Sequence, residues 1–130
     1  MISARKLLTI SRPRFWIYFA GPALVALAIT FQQNLTEWAQ IWPWIFVLYF
    51  TYPANLLVYG VNDIFDYETD KNNPKKQSYE ALVRPEEHLY LVIWIILINL
   101  PFLFVLFLFS PWLSQASLLL FLMLSIFYSA

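Results

Sequence analysis

Four long apolar stretches, separated by short polar segments, dominate the pattern along the chain. They are Phe15–Phe31, Ile41–Val61, Leu89–Phe109 and Trp112–Ala130. A helix needs about 20 apolar residues, and no fewer than about 17, to cross the ~30 Å hydrocarbon core of a bilayer. Inside lipid, a helix satisfies its backbone hydrogen bonds within one segment. The pattern therefore predicts an all-α integral membrane bundle of about four transmembrane helices, in one domain over residues 1–130.

Aromatic and proline residues refine this prediction. Tryptophan and tyrosine side chains prefer the two membrane–water interfaces. The residues placed for such a belt are Trp38, Trp42, Trp44, Tyr90, Trp94 and Trp112. Pro43 and Pro111 suit helix starts. Pro53 and Pro101 lie inside apolar stretches, where they predict kinks that membrane helices tolerate.

The first apolar stretch has a second interpretation, because a basic start and Ala26-Leu27-Ala28 are typical of a secretory signal peptide. Gly21-Pro22 in mid-segment fits a permanent helix at least as well. A transmembrane helix is the preferred interpretation.

Charged residues make up only 12% of the chain, against about 25% in a typical soluble domain. The basic ones cluster as Arg5, Lys6, Arg12 and Arg14 before the first stretch, and as Lys71, Lys75, Lys76 and Arg84 after the second. The segments 32–40 and 110–111 have none. The positive-inside rule therefore places the N-terminus and the long second loop in the cytoplasm. The net charge of zero gives no indication of a nucleic-acid partner.

An acidic motif ends the second apolar stretch. Residues 62–70 read N-D-I-F-D-Y-E-T-D, which is the pattern N-D-x-x-D-x-x-x-D. If the helix continues through the motif, Asn62, Asp66 and Asp70 are spaced i, i+4 and i+8, and Asp63 lies three residues before Asp66. A continuous helix would place all four side chains on one face.

Aspartates stacked at helical spacing repel each other, so the motif needs a compensating cation. The chain has no cysteine and a single histidine, His88, which excludes thiolate sites and histidine clusters. Oxygen ligands alone select hard ions such as Mg²⁺, which takes one or two carboxylates and completes its shell with water and substrate phosphates. The motif therefore predicts a Mg²⁺–diphosphate site, the alternative being an acidic interfacial turn without a ligand.

A polar and aromatic stripe continues from the motif into the membrane. Tyr52, Asn55 and Tyr59 precede Asn62 at spacings of three and four, on the face of Asp66. Such a stripe should face the bundle interior, either as hydrogen bonds between helices or as a pocket wall. Aromatic faces there could stabilise a carbocation. The nearby basic residues could grip phosphate oxygens, although membrane orientation alone explains most of them.

These residues together resemble the UbiA-type membrane prenyltransferases. N-D-x-x-D-x-x-x-D is similar to the first aspartate-rich motif of that family, and Ser11-Arg12-Pro13-Arg14-Phe15-Trp16 resembles its start. The residues around both segments most resemble the branch that prenylates carotenoid polyenes, such as lycopene elongases.

The resemblance implies transfer of a prenyl group from a prenyl diphosphate to a lipophilic acceptor, either an aromatic quinone precursor or a carotenoid, within the membrane lipid. It implies Mg²⁺ held at Asn62, Asp66 and Asp70. The implied catalytic residues are Asp63, Asp66 and Asp70, and the implied substrate-binding residues are Asn62, Tyr59, Lys71, Arg84 and Arg12. A bacterial protein of this kind would lie in the cell inner membrane.

The chain departs from the family pattern in length. The family has about nine helices and a second aspartate motif, whereas this sequence shows four stretches and one motif. We therefore expect the N-terminal portion of such an enzyme, unable to turn over alone and able to form homo-oligomers. The alternative is a non-enzymatic four-helix membrane protein with an interaction or assembly role.

Overall fold

The structure of the protein, a computed structural model, describes residues 2–33 and 41–128. Within those ranges it is all-α and contains no strand. The helices are α1 Ala4–Ile10, α2 Trp16–Gln33, α3 Ile41–Tyr49, α4 Tyr52–Phe65, α5 Tyr67–Asp70, α6 Pro74–Ser78, α7 Pro85–Phe109 and α8 Trp112–Phe127. Trp38 and most of the first loop lie outside the described ranges, and so does Ala130.

Three helical stretches are long and apolar enough to cross a membrane. They are Ala4–Thr30, Pro43–Phe65 and Pro85–Phe109, and the last has the highest mean hydropathy, 2.9. The fourth predicted stretch forms the apolar helix Trp112–Phe127, which is shorter at 16 residues. The all-α membrane bundle is therefore confirmed, with three full-length spans and one shorter apolar helix in the part of the chain that is described.

The predicted kink at Pro53 is a complete break between α3 and α4. Proline lacks a backbone N–H and its ring obstructs the preceding turn. The Asn55 side-chain amide donates hydrogen bonds to the carbonyls of Phe50 at 3.1 Å and Thr51 at 2.6 Å. Asn55 therefore satisfies backbone groups at the break, in its own span, rather than bonding another helix or opening a pocket wall. At Pro101, by contrast, α7 continues without interruption.

A short amphipathic helix, α1, was not predicted. Ser3 caps it by accepting a hydrogen bond from the Lys6 N–H at 3.2 Å. Its apolar side chains Leu7 and Ile10 are buried in a core cluster that includes Leu56 of α4. The chain then turns at Arg12, whose φ of 50° lies in the left-handed region. Helix α1 therefore packs against α4, the helix that ends in the acidic motif.

Helices α4 and α7 approach each other closely at Gly60. A Cβ added there would lie 2.9 Å from Cδ1 of Ile95, which is closer than real Cβ contacts. Glycine therefore sets the distance between the helix that ends in the motif and its largest neighbour.

We expect Gly60→Ala to conflict with Ile95. Overpacking of this kind costs roughly 1–3 kcal/mol, partly offset by about 1 kcal/mol from the higher helix propensity of alanine. In an Ile95→Val background, which removes the obstructing Cδ1, the same substitution should be neutral or stabilising. Thermal unfolding in detergent is measured for the unsubstituted chain, for the two single variants and for the double variant. The four values give the coupling energy between Gly60 and Ile95, expected at about 1–2 kcal/mol. A coupling near zero would contradict the close contact.

Candidate functional site

The acidic motif does not lie on one continuous helix. Helix α4 ends at Phe65, and Asp66 (φ −85°, ψ 7°) separates it from the four-residue helix α5. The Thr69 N–H bonds back to the Asp66 carbonyl at 3.0 Å, a tighter i→i+3 turn. The condition under which all four polar residues would share one face, an unbroken helix through the motif, is therefore not met. The change of helix at Asp66 divides the motif into two pairs with different surroundings.

Asn62 and Asp66 form the outer pair. The Asn62 side-chain amide donates a hydrogen bond to Oδ2 of Asp66 at 2.6 Å. Asp66 is exposed and Asn62 is partly exposed. This hydrogen bond orients the two side chains through the Asn62 amide nitrogen and Asp66 Oδ2, and it does not use the side-chain oxygen Oδ1 of either residue.

Asp63 and Asp70 form the inner pair, and a lysine links them. The ammonium of Lys76 donates to Oδ1 of Asp63 at 2.5 Å and to Oδ2 of Asp70 at 2.9 Å. The side chains of Asp63 and Lys76 are each only 2% exposed, and that of Asp70 is 13% exposed. The compensation that the aspartates require is therefore supplied at this pair by a buried lysine.

Arg12 completes the neutralisation of Asp63. Its guanidinium Nη2 lies 2.9 Å from Asp63 Oδ1 and 3.6 Å from Glu80 Oε2. Arg14 binds the other oxygen of Glu80 at 2.8 Å. The charge cluster consists of Arg12, Arg14, Lys76, Asp63, Asp70 and Glu80, and all of these side chains are largely buried except that of Arg14, which is 50% exposed. The cluster carries three positive and three negative side chains and is therefore electrically balanced.

Tyr59 contributes to the same region through its ring. The Arg12 guanidinium lies over that ring at 4.5 Å from the centroid, and the ring of Phe15 lies 6.0 Å away. Cation–π contact and two ion pairs offset the roughly 1–2 kcal/mol that a left-handed backbone costs at Arg12. The predicted substrate-binding residues Arg12 and Tyr59 therefore contact each other, and Arg12 also contacts Asp63.

Lys71 and Arg84, also predicted to bind substrate, lie at the surface. Lys71 pairs with Glu68 on the preceding turn, and that hydrogen bond raises the pKa of the lysine. Arg84 stands at the start of α7, where its backbone N–H donates to the Glu87 carboxylate at 3.0 Å. Both side chains are exposed, near the polar end of the bundle.

The donor chemistry fits a divalent cation only in part. Asn62, Asp66 and Asp70 offer oxygen atoms, and Asp66 is accessible to solvent. No three histidine, cysteine or acidic side chains converge on one point within ranges 2–33 and 41–128. The described residues therefore supply at most part of a Mg²⁺ shell, which water and substrate phosphates would have to complete.

An apolar groove lies in the membrane portion above the motif. It has a volume of about 660 Å³. It is lined by Phe19, Val58, Phe121, Leu124, Ser125, Phe127 and Tyr128. Val58 is about one helical turn, or ~5–6 Å, from Asn62 along α4. An elongated apolar molecule could therefore lie in the groove with a polar end close to the motif.

The pattern of the sequence did not reveal the roles of Lys76 and Glu80. The sequence predicts that Lys76 orients the chain in the membrane or binds phosphate oxygens, and it predicts no role for Glu80, because 13 and 17 residues separate them from Asp63. The sequence signal that could have located Lys76 is Asn73-Pro74, which is typical of a helix start. In the structure the Asn73 side chain accepts a hydrogen bond from the Lys75 N–H at 3.1 Å, which places Lys76 on the first turn of α6.

Comparison with known proteins identifies the family of the chain. The family model for the UbiA prenyltransferase family matches residues 11–130. A lycopene elongase/hydratase of Corynebacterium glutamicum is 37% identical over 131 aligned positions, covering 100% of this chain and 44% of that protein. One from Haloarcula japonica is 38% identical over 124 positions, covering 95% and 41%.

A third lycopene elongase/hydratase, from Haloferax volcanii, is 45% identical over 75 positions, covering 58% of this chain and 25% of that protein. The chain thus spans less than half the length of these relatives. No solved structure matches it. Because the family model covers nearly the whole sequence, including the acidic motif and the Arg12 turn, the chain belongs to the UbiA prenyltransferase family.

Proposed function

We propose that this chain takes part in Mg²⁺-dependent transfer of a prenyl group from a prenyl diphosphate to a carotenoid polyene. The observation that carries the proposal is the juxtaposition of three features. Accessible oxygen atoms at Asn62 and Asp66 lie near the balanced charge cluster and near an apolar groove that reaches Val58, one helical turn away on α4. The names of the relatives, lycopene elongase/hydratase, support the choice of a carotenoid acceptor over an aromatic quinone precursor.

The reaction breaks the allylic C–O bond of the prenyl diphosphate, and the electron pair leaves with the diphosphate. A π-electron pair of the acceptor forms the new C–C bond, and the product then loses a proton. Asn62, Asp66 and Asp70 would hold Mg²⁺, which when bound supplies positive charge to the leaving oxygens.

The residues of this chain have separable roles in that reaction. The exposed cations Lys71 and Arg84 can bind phosphate oxygens at the membrane surface. The apolar groove suits the isoprenoid tail and excludes water from the reacting carbon. Tyr59 offers an aromatic face near the allylic position, and Arg12 fixes the ring. Asp63 acts as a positioning residue, because Lys76 and Arg12 already occupy its carboxylate.

The orientation of the protein follows from its charges. We propose that the N-terminus and the acidic motif face the cytoplasm, in agreement with the positive-inside rule. Prenyl diphosphate would then reach the motif from the aqueous side, and the carotenoid would arrive through the lipid. Self-association into a homo-oligomer is part of the same proposal, since many large apolar side chains of α7 and α8 are exposed.

We expect the purified 130-residue chain to bind a prenyl diphosphate with Mg²⁺ and to show no prenyl transfer to lycopene. The proposed site offers one set of metal-binding oxygens, at Asn62, Asp66 and Asp70, whereas the departing diphosphate carries more charge than one such site neutralises. Turnover should appear when the C-terminal portion of the Corynebacterium glutamicum relative is co-expressed. Product is measured by liquid chromatography with mass detection. Turnover by the chain alone would contradict the expectation, and absence of Mg²⁺-dependent binding would contradict the proposed function.

A further inference from the structure

Lys76 is a charged side chain in an unusual position. It projects from the short helix α6 and is 2% exposed, with its ammonium between Asp63 and Asp70. Lysine is almost never fully buried unless it is paired. Asp63 already has a second cation, Arg12, at 2.9 Å. The contact that Lys76 alone provides is therefore the one to Asp70, which is a predicted metal ligand.

We propose that Lys76 competes with the divalent cation for Asp70, so that the metal binds firmly only together with a diphosphate. The inference rests on the proposed function and adds a role for a residue outside the motif. Without substrate, the ammonium occupies Oδ2 of Asp70 at 2.9 Å. A metal ion approaching the same carboxylate meets a positive charge at contact distance, and this repulsion weakens its binding.

The lysine cannot withdraw from the site. Asn73 caps α6 by accepting from the Lys75 N–H at 3.1 Å, and the Lys76 N–H bonds to the Asn73 carbonyl at 3.0 Å. Its buried stem and its bond to Asp63 at 2.5 Å hold the ammonium in place. The repulsion is therefore a fixed property of the site rather than that of a mobile surface charge.

A diphosphate changes this balance because it brings negative charge to the same place. Its oxygens complete the metal shell and attract the Lys76 ammonium, so the repulsion is replaced by favourable pairs. Metal and diphosphate should consequently bind with positive coupling, and the coupling should depend on the charge of Lys76. If Lys76 had only a structural role, its removal would loosen the motif and weaken the binding of the metal alone. If Lys76 competes with the metal, its removal strengthens that binding.

The test is the affinity for Mn²⁺ alone, measured by electron paramagnetic resonance on the full chain in detergent. Lys76→Met should bind Mn²⁺ about tenfold more tightly than the unsubstituted chain. Lys76→Arg, which keeps the charge, should stay within about twofold of it, and so should Lys75→Met, an exposed lysine on the same helix. Inorganic diphosphate should tighten Mn²⁺ binding less in Lys76→Met than in the unsubstituted chain. Unchanged or weaker Mn²⁺ binding in a folded Lys76→Met protein would overturn the proposal.

A measurement on the unsubstituted chain covers the case in which Lys76→Met does not fold. With ¹⁵N-labelled lysine, the ammonium resonance of Lys76, assigned by its loss in Lys76→Arg, should shift on adding Mg²⁺. That of Lys6, which pairs with Glu87 at 2.5 Å, should not. An unmoved Lys76 resonance at saturating metal would overturn the proposal. If neither the unsubstituted chain nor any variant binds metal, the proposed metal site itself fails, which is a different result.

Discussion

Replacing Asp66 by alanine is expected to lower the Mg²⁺-dependent affinity for a prenyl diphosphate by at least about tenfold. Loss of a group that only supports a metal ligand costs about 10–100-fold in metal affinity, and loss of the ligand itself should cost no less. Asp66 is the carboxylate of the outer pair and is exposed, and Asn62 orients it through a 2.6 Å hydrogen bond. Its removal takes away both the ligand and the partner of Asn62. Titration with a fluorescent prenyl diphosphate, with Mg²⁺ and with EDTA, gives the metal-dependent part.

Glu68→Ala is the matched control for Asp66→Ala. Glu68 is an exposed acid two residues away, and it pairs only with Lys71 among the described residues for which ion pairs are seen. The Glu68→Ala substitution removes one negative charge from the same surface, as Asp66→Ala does, but it removes no oxygen of the motif. Its affinity should stay within about twofold of the unsubstituted chain, because surface ion pairs contribute less than ~1 kcal/mol. Equal affinities of Asp66→Ala and the unsubstituted chain would remove Asp66 from the metal site.

Replacing Asp63 by alanine is expected to destabilise the folded protein by about 3 kcal/mol, at the lower end of what breaking a buried ion pair costs. The substitution leaves Arg12 and Lys76 facing each other without the carboxylate that joins them. Arg12 keeps Glu80 at 3.6 Å, and Lys76 keeps Asp70 at 2.9 Å and Glu80 at 3.9 Å, which limits the loss. Thermal unfolding in detergent, followed by circular dichroism, measures it.

Two comparisons distinguish the effect of unpaired buried charges from a general loss of stability in Asp63→Ala. Glu68→Ala breaks an exposed pair and should cost less than about 1 kcal/mol. Asp63→Ala combined with Lys76→Met removes one acid and one cation together, and should be less destabilised than Asp63→Ala alone. If the double variant is instead the less stable of the two, the buried charges do not act as a compensating pair.

The hydrophobic pattern predicted the bundle well, because lipid imposes a simple rule on each segment by itself. Leu89–Phe109 lies entirely within α7, and the break near Pro53 follows from the chemistry of proline. The short helix α1 could not be predicted in this way, because its seven residues precede the long apolar stretches that hydropathy detects.

The site was predicted in its residue types but not in its arrangement. Helical spacing placed Asp63 with Asp66, whereas the structure separates them into buried and exposed pairs. The reason lies outside the motif. Arg12 and Lys76 approach from 51 and 13 residues away, respectively, and a spacing rule for one helix contains no information about which distant cation will meet which carboxylate.

The balanced charge cluster has an evolutionary consequence. Its six side chains come from three separate segments and sum to zero, in a place where an unpaired charge is costly. A relative that has lost the positive charge at Lys76 should therefore also have lost an acid at Asp63 or Glu80, or gained a cation nearby. Substitutions at these positions should be inherited together, and a chimera that mixes an N-terminal segment from one lineage with an acidic motif from another should fold poorly when their charges do not match.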